Sequence, residues 1–538
     1  MVEEQYDYVI TGAGSAGAVL AARLSENPSV TVCLLEAGGK DNNPFIHVPF
    51  GLSLLSRFDS IGWGYFTAPQ SELNDRELFW PRGKTLGGSS SVNAMCYIRG
   101  QREDYDRWAE SGAAGWSYNE VLPWFKKAED YHGGADAYHG TGGPLRVEKL
   151  RHTDPLSRRF VNSADAAGLP VRTDFNREQR EGLGFYDVTQ KHGRRWSTAQ
   201  AYLKPAFNRP NLTVHTRTLT EKVLFTGKTA SGVQVRYKGK GRRIGARKEV
   251  ILCGGAINSP HLLMLSGVGP RDMLMEKGIH VVADSPGTGR NLQDHLDAIV
   301  QYRCTSRQGY AVALSAIPSY IAAGFRYLFS SGGLLSSNIA EAGGFASSSL
   351  AQSGQPDLQF HFLPAILAEH GRRSVYGYGF GVHVCALYPK SRGSISLQSS
   401  HPADHPLIEP AYLTHPDDKK VLLEGVALAD KLVNSTAFDD VRGKRLSPPQ
   451  GNNDEALLDE FIREHAESIY HPVGTCKMGA AEDEMAVTDN QCRVKGVNGL
   501  RVADASVMPV LPGGNTNAPV VMIAERVADL IIRSAGHP

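Results

Sequence analysis

Two short apolar runs, separated by a glycine-rich turn and a helix of small apolar residues, open the hydrophobic pattern of the chain. Residues 8–10 and 30–38 are predicted as parallel strands, and residues 16–24 between them as a helix. A strand–helix–strand unit of this length is typical of the first crossover in a doubly wound sheet. The start of the chain therefore predicts an α/β domain with a parallel sheet.

The turn inside this unit has the chemistry of a dinucleotide site. Gly12, Gly14 and Gly17 have G-x-G-x-x-G spacing, which permits a tight turn, close approach of a pyrophosphate and close packing of helix on strand. The helix N-terminus would face the phosphate charge. Glu36 ends the second strand, where a carboxylate binds ribose hydroxyls and repels the 2′-phosphate of NADP. These residues predict an adenine dinucleotide and leave NAD and FAD open.

The pattern becomes irregular after the second strand. Residues 41–70 are rich in Pro, Gly, Asn, Ser and aromatic residues, which predicts a long loop. Two interpretations are equally open: an active-site cover, or a surface loop packed by its own aromatic rings. Residues 80–100 follow with a Gly–Gly pair and three serines, which suit either a phosphate or flavin edge or a flexible hinge.

A helical region and a loop come next. Residues 103–130 have helical apolar spacing, and residues 131–143 form a loop rich in Gly and His. We interpret His132 and His139 in this loop as solvent-facing, because no metal-ligand spacing accompanies them. No metal site is predicted anywhere in the chain.

Three further strands are predicted at residues 209–225, 232–237 and 248–255. The last strand ends in two glycines. A helix is expected to start at residues 259–260 and to stop at residues 267–269. This second strand–turn–helix unit has the pattern of the first and is assigned to the same sheet, so the nucleotide-binding domain is expected to be discontinuous.

A different pattern occupies residues 300–470. A helix is predicted at 315–333, strands at 358–366 and 379–387, and an amphipathic helix at 422–433. We interpret this region as a second domain whose sheet covers the cofactor.

The predicted fold class is therefore α/β, or α+β overall. It combines a Rossmann-like dinucleotide-binding domain, with a parallel sheet, and a substrate-binding domain, with a mostly antiparallel sheet covered by helices. The predicted boundaries are 1–155, 196–300 and 475–538 for the first domain, and 156–195 and 301–474 for the second.

The C-terminal stretch carries the candidate reactive residues. His471 precedes a turn containing Pro and Gly, and a short strand ends at Asp504. Asn515 and Asn517 precede Pro519 at a predicted helix start. The N-terminus of that helix would stabilise negative charge on a cofactor.

Composition limits the class of protein. A chain of 538 residues predicts two domains, and a net charge of +1 gives no reason to expect nucleic acid. The seven cysteines are scattered without C-x-x-C, which fits a reducing cytoplasm with neither a zinc site nor a disulfide framework. No apolar run has the length of a membrane span, and the acidic N-terminus predicts no signal peptide. We expect a cytoplasmic protein, with peripheral contact to the inner face of the membrane left open.

Five motifs in order resemble those of the glucose–methanol–choline family of flavin oxidoreductases. Besides the dinucleotide turn, they are GKTLGGSSSVNAM, GAINSPHLLMLSGVG, HPVGTCKMG and GNTNAP. The match covers nearly the whole chain. NPFIHVPFGLSLL and LQFHFLPA are similar to bacterial FAD-dependent alcohol dehydrogenases of the alkane-oxidation and polyethylene glycol type, and choline dehydrogenases come next. The resemblance implies FAD as the cofactor.

The resemblance also implies the site residues. His471 would be the active-site histidine and Asn515 its partner. Relatives that attach FAD covalently use a His at the position of Val92, so noncovalent FAD is expected here. The implied cofactor-binding residues are Gly12, Gly14, Ser15, Ala16, Gly17, Glu36, Ala37, Arg82, Gly87, Gly88, Ser91, Asn93, Ala94, Asp504, Asn515, Thr516 and Pro519.

The implied reaction is oxidation of a primary alcohol, aliphatic or aromatic, to the aldehyde. Hydride would pass to flavin N5, His471 would take the hydroxyl proton, and Asn515 would hold the alcohol oxygen. Electrons would leave to a quinone-type acceptor. The alternatives are an alcohol oxidase using O₂, a choline dehydrogenase, and a flavin-binding protein without turnover. Glu341 could meet a cationic substrate, although we favour a structural role, and His361 could reach the pocket.

Overall fold

The computed structural model describes residues 4–55, 59–352, 354–448 and 454–534, so residues 56–58 of the predicted loop at 41–70 lie outside it. The strands within the described residues are, in chain order, β1 (Glu4–Thr11), β2 (Val32–Leu35), β3 (Tyr65–Phe66), β4 (Phe79–Trp80), β5 (Glu129–Tyr131), β6 (Leu145–Val147), β7 (Val171–Arg172), β8 (Gly182–Phe185), β9 (Gln190–Lys191), β10 (Arg194–Arg195), β11 (Leu212–His215), β12 (Thr218–Thr226), β13 (Thr229–Tyr237), β14 (Lys240–Leu252), β15 (Val268–Gly269), β16 (Ala283–Asp284), β17 (Leu296–Cys304), β18 (Ala342–Ala346), β19 (Leu358–Leu363), β20 (Gly379–Ala386), β21 (Ser394–Ser396), β22 (Leu407–Glu409), β23 (Arg442–Ser447), β24 (Glu467–Ser468) and β25 (Leu500–Val502).

The α-helices of the same residues are α1 (Ser15–Leu24), α2 (Pro44–His47), α3 (Leu52–Leu55), α4 (Arg102–Glu110), α5 (Tyr118–Ala128), α6 (Pro155–Asn162), α7 (Lys204–Ala206), α8 (Gly255–Leu265), α9 (Arg271–Glu276), α10 (Ile317–Ser330), α11 (Pro416–Val433), α12 (Glu455–His465) and α13 (Asn517–Ser534).

The first sheet of the described residues has the order β11–β2–β1–β14–β13–β12, with β25 beside β14. Strand β1 pairs in parallel with β2 and β14, β2 with β11, and β14 with β25. Strand β13 pairs antiparallel with β14, and β12 pairs antiparallel with β13. β2 has the sequence VCLL and is buried at every position, as expected for a strand covered on both faces. The prediction of a Rossmann-like sheet is confirmed.

The second sheet has the order β23–β17–β20–β19–β18–β8–β7, with β24 beside β17. Its pairs are antiparallel except for β7 with β8. Side chains alternate along β19: Phe360 and Phe362 enter the core shared with α11, so Gln359 and His361 face the other way. α11 lies so close that a Cβ on Gly425 would be 2.8 Å from atoms of the strand side chains. The predicted antiparallel sheet with a helical cover is confirmed.

The two sheets take their strands from different stretches of the chain, and the domain boundaries themselves stay a prediction. β17 spans Leu296–Cys304 and lies wholly in the second sheet, so a boundary at residue 300 would cut a strand. The predicted helical region at 103–130 is two helices, α4 and α5, because Gly112 and Gly115 between them have φ angles of +99° and +88°.

The helix expected to start at residues 259–260 begins earlier, at Gly255. Pro260 therefore lies inside α8, where a proline leaves the carbonyl four residues before it without its usual N–H donor. That carbonyl, of Ala256, instead accepts a hydrogen bond of 2.6 Å from the Thr475 hydroxyl. A residue distant in sequence thus permits proline within this helix.

The first and last helices are joined by a buried carboxylate. Glu525 of α13 is fully buried and accepts hydrogen bonds from Arg23 of α1 at 2.8–3.1 Å and from the Tyr202 hydroxyl at 2.8 Å. Such a buried charge needs its partners, and these three residues hold α1 in place beneath the glycine turn. Among the described residues, no helix has both the length and the apolar character needed to cross a membrane.

Candidate active site

The glycine turn at the end of β1 has the geometry that its sequence predicts. Gly12 has a φ of +94°, and a Cβ on Gly17 would lie 1.9 Å from the Gly12 carbonyl oxygen. The helix α1 can therefore sit against the strand only because residue 17 lacks a side chain. The Glu36 carboxylate accepts hydrogen bonds from the N–H groups of Ala13 at 2.9 Å and Gly38 at 2.8 Å. Burial raises the pKa of Glu36 to about 7.

A second glycine segment closes on this turn. Gly88 begins a short 3₁₀ helix, Gly88–Ser91, and a Cβ on it would lie 2.7 Å from the Cα of Gly14. The Ser91 hydroxyl donates to the Leu86 carbonyl at 2.7 Å and so holds the segment's shape. Two bare backbone stretches thus face each other at the N-terminus of α1, which fits a pyrophosphate.

A cavity of about 1510 Å³ runs from this turn to the second sheet. Most of the predicted site residues line it: Gly12, Gly14, Ser15, Ala16, Glu36, Ala37, Arg82, Gly88, Asn93, Ala94, His361, His471, Asp504, Asn515 and Thr516. Five others are not among the lining residues: Gly17, Gly87, Ser91, Pro519 and Glu341. Gly17 and Ser91 shape the backbone behind the cavity, and Pro519 lies in the first turn of α13.

Asp504 follows β25 at the edge of the cavity and is held by donors from two segments. Its carboxylate accepts from the Gly255 N–H at 2.8 Å, the Ser259 hydroxyl at 2.6 Å and the Ser506 N–H at 2.8 Å. The carboxylate therefore fixes the start of α8 beside the first sheet. Burial raises the pKa of Asp504 above its usual range.

His471 is anchored through its backbone by a buried acid. The His471 N–H donates to Asp294 at 2.7 Å, and the other carboxylate oxygen accepts from the hydroxyls of Ser468 and Tyr412, each at 2.5 Å. Burial raises the pKa of Asp294 to about 6. Arg82, which donates to the Tyr470 carbonyl at 2.7 Å, lines the cavity beside them.

A chain of hydrogen bonds fixes the ring of His471. His295 Nε2 contacts the Leu387 carbonyl at 3.0 Å, and since a carbonyl only accepts, this nitrogen carries a proton. In neutral His295, Nδ1 is then an acceptor, and it lies 3.0 Å from His471 Nδ1, which must donate to it. His471 Nε2 consequently carries the lone pair, and this lone pair accepts a hydrogen bond of 3.1 Å from the Asn515 amide N–H. We assign these tautomers from the hydrogen-bond network.

Asn515 is oriented from its other end. Its side-chain oxygen accepts from Gln359 Nε2 of β19 at 3.2 Å, so its amide group points to His471. Burial lowers the pKa of His471 well below its ordinary value, and the neighbouring His295 and His361 lower it further. Burial also lowers the pKa of His295 to about 3. Both rings of the hydrogen-bonded pair are therefore neutral at neutral pH.

Two more histidines face the cavity from the second sheet. His361 of β19 is directly opposite His383 of β20. The Nδ1 of His383 lies 2.5 Å from the Asp297 carboxylate, which is itself fully buried. Burial lowers the pKa of His361 to about 3. The sheet thus presents two histidine rings to the cavity, one of them held by a buried carboxylate.

Glu341 does not line the cavity. Its buried carboxylate accepts hydrogen bonds from the Asp154 N–H at 2.7 Å, the Ser157 hydroxyl at 2.8 Å, the Ser337 hydroxyl at 2.6 Å and the Tyr310 hydroxyl. The four donors satisfy the carboxylate, which ties three segments together. This geometry speaks against the possible substrate contact of Glu341 and supports the structural role that the sequence analysis favoured.

The prediction that His139 faces solvent is wrong. Its ring is buried, with Nδ1 3.2 Å from Glu129, Nε2 2.9 Å from Asp174, and Tyr131 stacked on it at 3.8 Å between centroids. His132, by contrast, is exposed. The loop at 131–143 therefore contains a structural buried cluster, and its sequence gave no ligand-like spacing from which to infer one.

Comparison with known proteins decides the family. Residues 6–297 and 389–524 match the N- and C-terminal regions described as GMC oxidoreductase. The chain belongs to the GMC oxidoreductase family. An alcohol dehydrogenase [acceptor] of Pseudomonas putida is 48% identical over 98% of this chain and 96% of its own. An oxygen-dependent choline dehydrogenase of Brucella anthropi is 43% identical over 98% and 95%.

Two solved oxidase structures have the same fold. Pyridoxine 4-oxidase from Mesorbium loti has a TM-score of 0.89 at 32% identity, covering 98% of this chain and 99% of that one. A formate oxidase variant from Aspergillus oryzae has a TM-score of 0.92 at 26% identity, covering 100% and 99%. The family assignment confirms the predicted resemblance, the enzyme class and FAD as the cofactor.

The residues of this GMC oxidoreductase fit FAD. The bare glycine backbones suit its pyrophosphate, and Glu36 and the start of α13 line the same cavity. Val92, the position at which the resemblance implies a histidine in covalently flavinylated relatives, lines the cavity, and noncovalent attachment of FAD stays the prediction.

Sequence reasoning missed three residues that hold the site: Asp294, His295 and Gln359. Asp294 and His295 stand in the segment NLQDHLD, where two titratable residues directly precede an apolar strand. Gln359 is a polar position in the alternating strand LQFHFL, together with His361. Polar residues on the cavity-facing side of an otherwise apolar strand were the available signal.

Proposed function

We propose that this GMC oxidoreductase oxidises primary alcohols to aldehydes, with His471 as the general base. The observation that carries the proposal is the chain His295–His471–Asn515–Gln359, which keeps His471 Nε2 unprotonated at the cavity. An alcohol hydroxyl that binds there would replace the Asn515 amide as the donor to this nitrogen. A neutral imidazole of this kind accepts a hydroxyl proton well. The Asn515 amide lies beside the same nitrogen and is placed to donate to the alcohol oxygen.

The proposed reaction balances as follows. The alcohol O–H proton goes to His471 Nε2, and the carbinol C–H bond breaks with its electron pair. The chemistry that FAD supplies when bound is acceptance of that hydride at N5. The start of α13, with Thr516 and Asn517 at the cavity, is placed to stabilise the negative charge that accompanies reduction. The product is an aldehyde, and two electrons remain on the enzyme.

The cavity favours a neutral alcohol over a cationic one. Among the described residues, the acidic side chains that line the cavity are Glu36, Asp404 and Asp504. The first and third belong to the dinucleotide end, and Asp404 lies near the buried His261. Beyond the His471 end the lining is largely apolar and includes Phe50, Tyr310, Leu335, Ile339, Leu363, Ala365, Ile366 and Leu367. Without a carboxylate at that end, a trimethylammonium group would be desolvated at a cost.

We propose a quinone-type electron acceptor. The support is the Pseudomonas putida relative, which is named alcohol dehydrogenase [acceptor], a name that leaves the acceptor unspecified. The relative named as oxygen-dependent choline dehydrogenase makes oxygen the competing acceptor and choline the competing substrate. The cytoplasmic location stays a prediction.

The test is anaerobic reduction of the purified holoenzyme by hexanol, benzyl alcohol, a hydroxymethylfuran and choline, followed by admission of air or a soluble quinone. Bleaching of the flavin by neutral alcohols, with fast recovery only on quinone, is the expected result. Fast recovery in air would identify an oxidase, and bleaching by choline alone would overturn the substrate class. His471→Ala should slow bleaching about 10²–10⁴-fold at normal flavin content, whereas the exposed His132→Ala should not.

A further inference from the structure

The helix α10 carries an apolar stripe that faces away from the protein. Ile317, Ile321, Phe325, Leu328 and Phe329 have the spacing of one helix face. Their exposed fractions rise along the helix, from 48% at Ile317 to 89% at Phe329. We call these five residues the α10 stripe. Contiguous exposed apolar side chains of this size mark an interaction surface.

The orientation of the stripe is fixed from the opposite side of the helix. The Tyr320 hydroxyl donates to the Ala311 carbonyl at 3.1 Å, and the Tyr327 hydroxyl donates to the Gly193 carbonyl at 3.1 Å. Ala323 is buried between them in sequence. Because these contacts hold the inner face of α10 against the protein, the side chains of the stripe are fixed in an exposed position.

The stripe is continuous with the mouth of the active-site cavity. Ile317 belongs to the stripe and also lines the cavity. Val312, Leu314 and Tyr376 line the cavity too, and they are 54%, 76% and 65% exposed. An apolar surface therefore runs from α10 directly into the substrate end of the cavity.

The charge of this part of the chain has one sign. Residues 299–340 contain Arg303, Arg307 and Arg326 but no Asp or Glu. Arg307 and Arg326 are exposed, and Arg326 stands on α10 itself, between members of the stripe. An apolar helix face with an exposed arginine on the same helix is complementary to the surface of an anionic bilayer, where the acyl region takes apolar side chains and the headgroups take cations.

We propose that the α10 stripe docks the enzyme on an anionic membrane surface, with Leu328 and Phe329 entering the headgroup–acyl boundary. The cavity mouth then opens at the bilayer, so apolar alcohols dissolved in the membrane reach His471 without crossing water. The delivery of alcohol rests on the function proposed above, whereas the docking itself does not. A second copy of the chain is a poorer occupant, because a two-fold contact centred on Phe325, Leu328 and Phe329 would bring Arg326 near its own equivalent.

The test is flotation of the holoenzyme with vesicles of phosphatidylcholine alone and of phosphatidylcholine with phosphatidylglycerol. Wild-type enzyme should float with the anionic vesicles and detach as salt is raised. The double variant Leu328→Ser, Phe329→Ser should bind about 100-fold more weakly, at roughly tenfold per residue. Met275→Ser on α9, which removes a side chain that is 63% exposed, is the matched control and should bind normally.

Two further measurements separate docking from catalysis. Flavin reduction by benzyl alcohol in solution should be unchanged in the double variant, whereas reduction by dodecanol carried in anionic vesicles should be slower. If no alcohol reduces the enzyme, the proposed function fails while flotation still decides the docking. Failure of wild-type enzyme to float, or equal flotation of the double variant, overturns the docking. So does light scattering that shows a dimer for the wild type and a monomer for the double variant.

Discussion

Replacement of His295 tests whether a single acceptor atom sets the chemistry of His471. His295 accepts the Nδ1–H of His471 at 3.0 Å and donates its own Nε2–H to the Leu387 carbonyl at 3.0 Å. In His295→Leu, the buried Nδ1–H of His471 loses its acceptor. Leaving such a donor unsatisfied costs about 1–3 kcal/mol.

The free-energy cost of the unsatisfied donor falls on the His471 tautomer with its proton on Nδ1, which is the tautomer whose Nε2 can act as a base. The His471 ring escapes it by moving the proton to Nε2, but Nε2 then faces the Asn515 amide as a second donor and cannot take the alcohol proton. A penalty of about 1–3 kcal/mol corresponds to flavin reduction slowed roughly 5- to 150-fold. His295→Asn places Oδ1 where the imidazole has Nδ1, so it restores the acceptor, and its rate should lie nearer wild type.

The assay is stopped-flow flavin bleaching by benzyl alcohol without oxygen, with flavin content measured for each variant. We expect the Leu variant to be slow and the Asn variant to recover at least half of the lost activation free energy. Wild-type rates in both variants would refute the tautomer argument. Equal slowness in both, at full flavin content, would also refute it, because packing rather than the acceptor atom would then be responsible.

Three other predictions follow from the site and its supports. Burial lowers the pKa of His471, so the neutral, basic form of the ring persists to lower pH than in a free histidine. The value of kcat/KM should therefore fall only when the pH drops through that lowered pKa, and a fall in kcat/KM that begins above about pH 6.5 would contradict this. Glu341→Gln should lower the free energy of unfolding by about 2 kcal/mol in urea titrations and leave the benzyl alcohol-to-choline activity ratio unchanged; an altered ratio would place the carboxylate in the pocket. Gly17→Ala should yield protein that has lost most of its flavin, since the added Cβ would lie 1.9 Å from the Gly12 oxygen; full flavin absorbance would disprove the packing argument.

Local patterns predicted most of the fold. The glycine spacing, the apolar strands and the polar–apolar alternation of residues 358–363 are short-range signals, and the structure has the elements that they predict. Predictions failed where a distant residue decides the local outcome. The start of α8 depends on Thr475, which satisfies a carbonyl 219 positions away in the chain.

The site was predictable only in part for the same reason. His471 and Asn515 stand in recognisable motifs, but the contact that sets the tautomer joins positions 176 residues apart, across two segments. The helical pattern at 315–333 likewise predicted α10, but a pattern does not tell which face is buried. Only the tyrosine contacts of the inner face show that the apolar stripe is outside.

The bond between Glu525 and Arg23 has a consequence for biosynthesis. The two residues are 502 positions apart, and β25 joins the first sheet only after residue 500 has been made. At about 5–20 residues per second, the N-terminal crossover waits roughly 25–100 s on the ribosome before its last strand and closing helix emerge. During that time the apolar faces of β1 and α1 lack their final cover. Flavin capture is therefore expected to follow completion of the chain, since the sheet beside the glycine turn is complete only then.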